Sequence, residues 1–189
     1  LEQMPHYGCT PDVVIYSTLV NGFSEHGRVD KALELLNTML CKANTVCYNA
    51  ALKGLCIAGR WEEVGELIAE MVRKDCPPND ATFSTLINSL CQNRLVEYAT
   101  EVLGKMHKYG YKPDVVNYNT IISCLSEQGR VDDALKLLND MLCKPDTISF
   151  NAVFKGLCRA ERWCDAAQLT AKMITEDCPI IEMTFNILI

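Results

Sequence analysis

Apolar residues fall on helical spacing in short blocks separated by glycine- and proline-bearing turns. Tyr16, Leu19, Val20 and Phe23 recur at steps of three and four, Gly27 and Arg28 interrupt, and Val29, Ala32, Leu33, Leu36 and Leu40 resume the step. Tyr48, Ala51, Leu52 and Leu55 repeat the first half, and after Gly59 the second half returns as Trp61, Val64, Leu67, Ile68 and Met71. Each block predicts a helical hairpin. Glycine at 27, 59 and 129 suits the left-handed residue that ends a helix, and Asp30 and Asp132 suit the N-terminus of the next. Pro77-Pro78-Asn79, Lys112-Pro113-Asp114 and Lys144-Pro145-Asp146 close blocks, because proline cannot continue a helix.

The hairpins keep register over the whole chain. Met39, Met71, Met106, Met141 and Met173 lie 32, 35, 35 and 32 residues apart, and Tyr16, Tyr48, Phe83, Tyr118, Phe150 and Phe185 form an aromatic column. Val29, Trp61, Val96, Val131 and Trp163 form a bulky apolar column, with Ala32, Val64, Ala99, Ala134 and Ala166 behind it. A period in the thirties means units too small to bury their own hydrophobic face, which must stack on neighbours. The expected fold is all-α: a right-handed superhelical α-solenoid of helix-turn-helix repeats at 13–44, 45–79, 80–114, 115–146 and 147–181. Residues 1–12 read as the end of a preceding repeat and 182–189 as the start of a further one, so the chain reads as a piece of a longer protein.

A longer period overlies the short one. Residues 13–44 match 115–146, and 45–79 match 147–181, both at an offset of 102, which indicates duplication of a three-repeat block. The first and fourth repeats lack three residues after their methionine, about 4.5 Å of helix, so irregularity is expected at 40–45 and 142–147.

Composition narrows the function. No apolar run approaches the roughly 20 residues of a membrane span, so no membrane partner is expected, and the first residues lack the character of a targeting peptide. Eleven cysteines follow the repeat register, as in the column Cys56, Cys91 and Cys158, and no Cys-x-x-Cys pair exists. With His6, His26 and His107 scattered, they read as small hydrophobes in a reducing compartment rather than metal ligands or disulfides. Trp61 and Trp163 read as packing residues, since they share a column with valines. No phosphate-cradling glycine loop and no clustered nucleophile and base are present, so the chain is expected to be neither an enzyme nor cofactor-dependent.

Tyr118-Asn119-Thr120-Ile121-Ile122, the run from Gly129 to Leu138, Met141 and the closing Pro145-Asp146 resemble the pentatricopeptide repeat, and the likeness recurs five times. The tetratricopeptide opening Trp-x-x-Leu-Gly-x-x-Tyr is absent. The resemblance implies single-stranded RNA as partner, one base per repeat. It assigns base reading to the residue after the opening aromatic and the last residue of the repeat. The pairs are Ser17 with Asn44, Asn49 with Asn79, Ser84 with Asp114, Asn119 with Asp146, and Asn151 with Ile181. It assigns Val14, Val46, Ala81, Val116, Ile148 and Met183 to the faces of the bases. The implied ligand is 5′-A-(C/U)-G-U-pyrimidine-3′, the last letter weak because Ile181 cannot hydrogen-bond. The resemblance is to the plain, non-editing class, acting in mitochondria or chloroplasts on organellar transcripts, with the mitochondrion slightly favoured.

Other readings compete. Ser, Asn and Asp at helix starts cap backbone groups in many helical proteins. A net charge of −6 opposes phosphate-driven binding, although the acids crowd the second helices, while Lys53, Lys155 and Arg159 offset Glu25, Asp80 and Glu127 on the first. Few phosphate contacts and a shallow salt dependence follow. A protein-binding scaffold, a spacer within a longer array, and self-association or a protein partner through exposed solenoid ends are the alternatives.

Overall fold

The structure, a computed structural model, describes residues 10 to 179, with the side chains of 107 and 108 left out. Among the described residues there are ten helices and no strand. They are α1 (Val13–Glu25), α2 (Val29–Thr38), α3 (Thr45–Ile57), α4 (Trp61–Arg73), α5 (Asp80–Gln92), α6 (Val96–Lys108), α7 (Val115–Glu127), α8 (Val131–Asn139), α9 (Thr147–Arg159) and α10 (Trp163–Thr175). Backbone packing divides the chain into an amino-terminal half, Leu1–Ser89, and a carboxy-terminal half, Leu90–Ile189. In the first, α1 packs on α2 and α3, and α3 packs on α4; in the second, α7 packs on α8 and α9, and α9 packs on α10.

Local chemistry sets these elements. Asp12, Asn44, Asp114 and Asp146 precede first helices, and each side chain accepts the backbone N–H of the third helical residue, satisfying a donor the helix leaves unpaired. The turn into each second helix is left-handed. Gly59 takes φ 71°, and Glu161, its counterpart in the duplicated block, takes φ 55° with the same closing bonds, Arg60 N–H to Leu55 C=O and Arg162 N–H to Leu157 C=O, both 3.0 Å. Glutamate bears a Cβ cost there that glycine avoids.

First helices approach closely. A Cβ on Gly54 would lie 2.6 Å from the Ser24 hydroxyl oxygen, and one on Gly156 would lie 3.0 Å from Ser126 Cβ. Both serines are buried and their hydroxyls have no hydrogen-bond partner, so small size is what the contact requires of them. Behind this seam, Tyr48, Leu52, Leu55 and Met71 are fully buried in one half and Phe150, Phe154, Leu157 and Met173 in the other.

The structure departs from the sequence pattern in three places. Helices α2 and α8 have 10 and 9 residues against 13 in α4, α6 and α10. The missing turn is taken from the helix and not from the link, because α2 and α4 are each followed by six residues before the next helix begins. Met39 and Met141 therefore fall beyond the helix and are half-buried, whereas Met71, Met106 and Met173 sit in the core. The expected continuation of α2 to Leu40 fails: Leu40 is 78% exposed, and its N–H instead meets the Tyr16 hydroxyl at 3.4 Å, as Leu142 N–H meets Tyr118. Trp163 is 54% exposed, so the expected packing role fails there. Its column-mates Val29, Val96 and Val131 are buried, and a site that holds an isopropyl group does not enclose an indole. Of the cysteines, Cys47, Cys56, Cys76, Cys124 and Cys178 are buried and Cys164 is exposed. Desolvation pushes the Cys56 thiol up to about 12.

Candidate nucleic-acid interface

Each first helix opens on a repeated constellation: a capping residue, then an exposed apolar residue one turn position inside, then a polar residue after the aromatic. Val14, Val46, Val116 and Ile148 are 64%, 60%, 61% and 63% exposed, and Ala81 is exposed as well. A recurring aliphatic position left in solvent in every copy is unusual for helices most of whose other apolar residues are buried or half-buried, and it suits contact with flat apolar faces. Met183 and Ile181 lie outside the described residues, as do His6, Cys9, Phe185 and most of the flanking segments 1–12 and 182–189.

Two of the reading pairs are brought together. Asn119 Nδ2 donates to Asp146 Oδ1 at 3.1 Å. Ser149 hydroxyl donates to Asn119 Oδ1 at 2.5 Å, lies 2.9 Å from Asp146 Oδ1, and accepts Asp146 N–H at 3.1 Å. In the amino-terminal half, Thr82 hydroxyl accepts Asn79 N–H at 3.1 Å and donates to Asn49 Oδ1 at 2.7 Å, with Asn79 Oδ1 at 3.0 Å. Asn49 and Asn79 thus meet through Thr82. Ser17 and Asn44 are not joined: Ser17 donates to Val14 C=O at 2.9 Å within its own helix, and Asn44 Oδ1 accepts Cys47 N–H at 3.1 Å. Ser84 is half-buried on α5, Asp114 is exposed at the cap of α7, and Asn151 is buried on α9.

Capping leaves part of each side chain for the expected base reading. The oxygen Oδ1 of Asn44, Asn79 and Asp114 accepts the backbone N–H of the helix it caps. Among the described residues no hydrogen bond engages the amide nitrogen of Asn44 or Asn79, so each keeps a donor pair, while Asp114 keeps a second acceptor oxygen. Partial burial alone would raise the Asp146 pKa, but the Ser149 N–H, the Asn119 amide, the Ser149 hydroxyl and the Ile148 N–H together hold it below its ordinary value. Asp146 is therefore an ionised, acceptor-only group.

The hydroxyls of Thr82 and Ser149 are absent from the sequence-derived set of reading residues. The signal that points to them is local: Asn79-Asp80-Ala81-Thr82 and Asp146-Thr147-Ile148-Ser149 each place an Asn or Asp three residues before a hydroxyl, the spacing of a reciprocal cap.

Acidic residues of the second helices are bound by arginines away from this surface. Arg60 bridges Asp30 at 2.6 Å and Glu63 at 2.5 Å, Arg162 bridges Asp132 at 2.5 Å and Asp165 at 2.7 Å, and Arg130 bridges Glu97 and Asp133. On the first helices, Lys53 pairs with Glu25 at 2.9 Å, while Lys155 and Arg159 are exposed and form no ion pair among the described residues. Two concavities lie along second helices, one lined by Leu33, Asn37, Glu66 and Arg73 and another by Glu97, Thr100, Lys136 and Asp140, and a third lies against α1, lined by Thr18, Leu19, Gly22 and Phe23. None of the three is lined by a residue expected to read a base.

Among the described residues no cluster of three metal-ligating side chains occurs, and no helix is long and apolar enough to cross a membrane. Models of the PPR repeat family match residues 43–92, and models of the PPR repeat match 7–40, 81–111 and 109–142. A chloroplastic pentatricopeptide repeat-containing protein of Arabidopsis thaliana is 28% identical over 85 residues, covering 43% of this chain and 17% of its own length. A mitochondrial pentatricopeptide repeat-containing protein of the same plant is 33% identical over 76 residues, covering 38% of this chain and 15% of its own. This chain thus spans less than a fifth of either relative. The crystal structure of the maize pentatricopeptide repeat protein PPR10 superposes with a TM-score of 0.85 at 27% identity, over 98% of this chain and 27% of that one. The same protein in complex with an 18-nt psaJ RNA element superposes at 0.64 with 23% identity, over 94% of this chain and 27% of that one.

Proposed function

We propose that this chain, which belongs to the pentatricopeptide repeat family, binds single-stranded RNA one base per helix pair within a plant organelle. The observation that carries the reading is the registered row of exposed Val14, Val46, Ala81, Val116 and Ile148 beside Ser17, Asn49, Ser84, Asn119 and Asn151. An aliphatic residue against the base face supplies affinity for any base, and the polar neighbours address the base edge, as in repeat proteins that read RNA. The maize relative's RNA complex and the organellar relatives support the class of ligand and compartment.

The proposed order is 5′-A-(C/U)-G-U-pyrimidine-3′, read by Ser17/Asn44, Asn49/Asn79, Ser84/Asp114, Asn119/Asp146 and Asn151/Ile181 over the five proposed repeats 13–44 to 147–181. The mechanism is occupancy: RNA held extended is withheld from nucleases and from competing base pairing, and no side chain here performs a bond-breaking step. With the second-helix acids held by arginines and few free cations on the first helices, affinity falls gently with salt, well short of about −0.7 per neutralised phosphate for many contacts.

The test is binding of this chain to labelled RNA containing ACGUU beside the same RNA with G replaced by U. About tenfold tighter binding to the first, reversed by Ser84→Asn, is the expected result. Equal binding to both removes base reading, and absence of RNA binding with capture of a basic peptide would favour the scaffold reading.

A further inference from the structure

Resting on that reading, we infer that a third side chain, the hydroxyl at the third position of the following first helix, sets the base preference of the preceding reading asparagine. The geometry is complete at two places. At the first, Asn79 N–H donates to Thr82 Oγ1 at 3.1 Å, which occupies a lone pair and turns the single hydroxyl proton toward Asn49 Oδ1, at 2.7 Å. At the second, Asp146 N–H donates to Ser149 Oγ at 3.1 Å, and the Ser149 proton is shared between Asn119 Oδ1, the nearer at 2.5 Å, and Asp146 Oδ1 at 2.9 Å. The cap N–H makes each hydroxyl an acceptor on that side, so its proton is left for side-chain oxygens. The nearer one in both places is the amide oxygen of the preceding asparagine, with the capping Oδ1 farther, at 3.0 Å and 2.9 Å.

An asparagine amide is nearly symmetric in shape and can present either its oxygen or its NH2. With Oδ1 held inward by the hydroxyl, the NH2 group is what Asn49 and Asn119 offer to a ligand. At Asn119 one of the two amide protons goes to Asp146, leaving the other. A donor is matched by O2, an acceptor that cytosine and uracil carry at the same place, so one amide geometry serves either pyrimidine. Where the third residue is Cys47, no such bond reaches Ser17; the thiol instead lies 4.0 Å from Val13 C=O, and the reading residue turns to its own helix.

Thr82→Val keeps the shape of the side chain and deletes the hydroxyl; Thr82→Ser keeps the hydroxyl. The preference for C over A at the second base of labelled ACGUU RNA is measured for the unaltered chain, both variants and Asn49→Ala, with the fourth base as internal control and circular dichroism to monitor folding. The expected result is a preference of about tenfold that falls close to unity in Thr82→Val, is retained in Thr82→Ser, and leaves the fourth base untouched. Should Asn49→Ala abolish the preference while Thr82→Val retains it, the hydroxyl has no part in selection and base reading stands. Should the unaltered chain show no preference, base reading fails and this inference with it. If Thr82→Val unfolds, Thr82→Cys takes its place, with the same ratio as readout.

Discussion

Residues 13–79 and 115–181 are two copies of one block, offset by 102, and they differ in kind by region: buried positions change size within apolar character, as Val20, Tyr48 and Leu52 against Ile122, Phe150 and Phe154, while helix starts change polar chemistry. The frame is shared: Tyr16 and Tyr118 each hold the exit of a shortened second helix at 3.4 Å, and Arg60 and Arg162 each bridge two acids. Ser24 faces Gly54 as Ser126 faces Gly156. The helix starts diverge: Ser17, Asn44 and Cys47 stand where Asn119, Asp146 and Ser149 form a closed hydrogen-bonded set. A packed core admits apolar exchanges whose volumes compensate, whereas an exposed helix start needs only one cap oxygen. The second polar atom is thus free to vary without cost to the fold, which under the proposed function is the condition for changing what a repeat reads while keeping the repeat.

Breaking the shared frame gives the largest effect. Gly54→Ala places a methyl 2.6 Å from Ser24, and even after the ~1 kcal/mol gained by alanine in a helix it is expected to destabilise by about 2 kcal/mol. Gly156→Ala, with 3.0 Å to the nearest Ser126 atom, is expected to be near neutral, because the same gain offsets a smaller clash. Urea unfolding of both variants checks the pair, and equal losses would show that the two seams are packed alike.

Transplanting the helix start is next. Ser17→Asn, Asn44→Asp and Cys47→Ser together rebuild the carboxy-terminal set on the amino-terminal frame. The preference at the first base is expected to move from A to a pyrimidine by about tenfold, read by competition binding, with melting temperature nearly unchanged. A preference that stays at A would mean that the frame, not the side-chain set, selects.

The turn offers a smaller contrast. Glu161 holds φ 55° where its counterpart Gly59 holds φ 71°, so Glu161→Gly is expected to stabilise by about 1 kcal/mol. Gly59→Glu is expected to lose a similar amount. Thermal or urea midpoints decide, and a neutral Glu161→Gly would mean that the glutamate side chain compensates its backbone.

The smallest effect is on acid stability. The Asp146 pKa is lowered by its donors from the ordinary 3.8, so its contribution is fully present above that value and is lost as pH falls through the depressed folded-state value. Asn44, its counterpart, does not titrate. Asp146→Asn is expected to cost no more than ~0.5 kcal/mol at neutral pH, given its partial exposure, and nothing once the pH has fallen through the depressed folded-state value. Unfolding followed across that range checks it, and a difference that persists in acid would assign the loss to geometry instead of charge.

Periodicity placed the ten described helices and the left-handed glycine turns, and residue type alone allowed the capping by Asn and Asp as a competing reading, because each depends on chemistry within four or five residues along the chain. The proposed reading residues rest on resemblance to a family whose repeat they match, and the exposed row beside them lies in the same register. Tertiary packing alone decided the rest. It made the three-residue deficit shorten α2 and α8, leaving Met39 and Met141 off the register that sequence spacing gave them. It left Trp163 in solvent, since column identity says nothing of cavity size. It also directed the Thr82 and Ser149 protons toward asparagines 33 and 30 residues away in the chain. A hydroxyl's orientation depends on every partner around it, and those partners meet only when one helix is laid against the next.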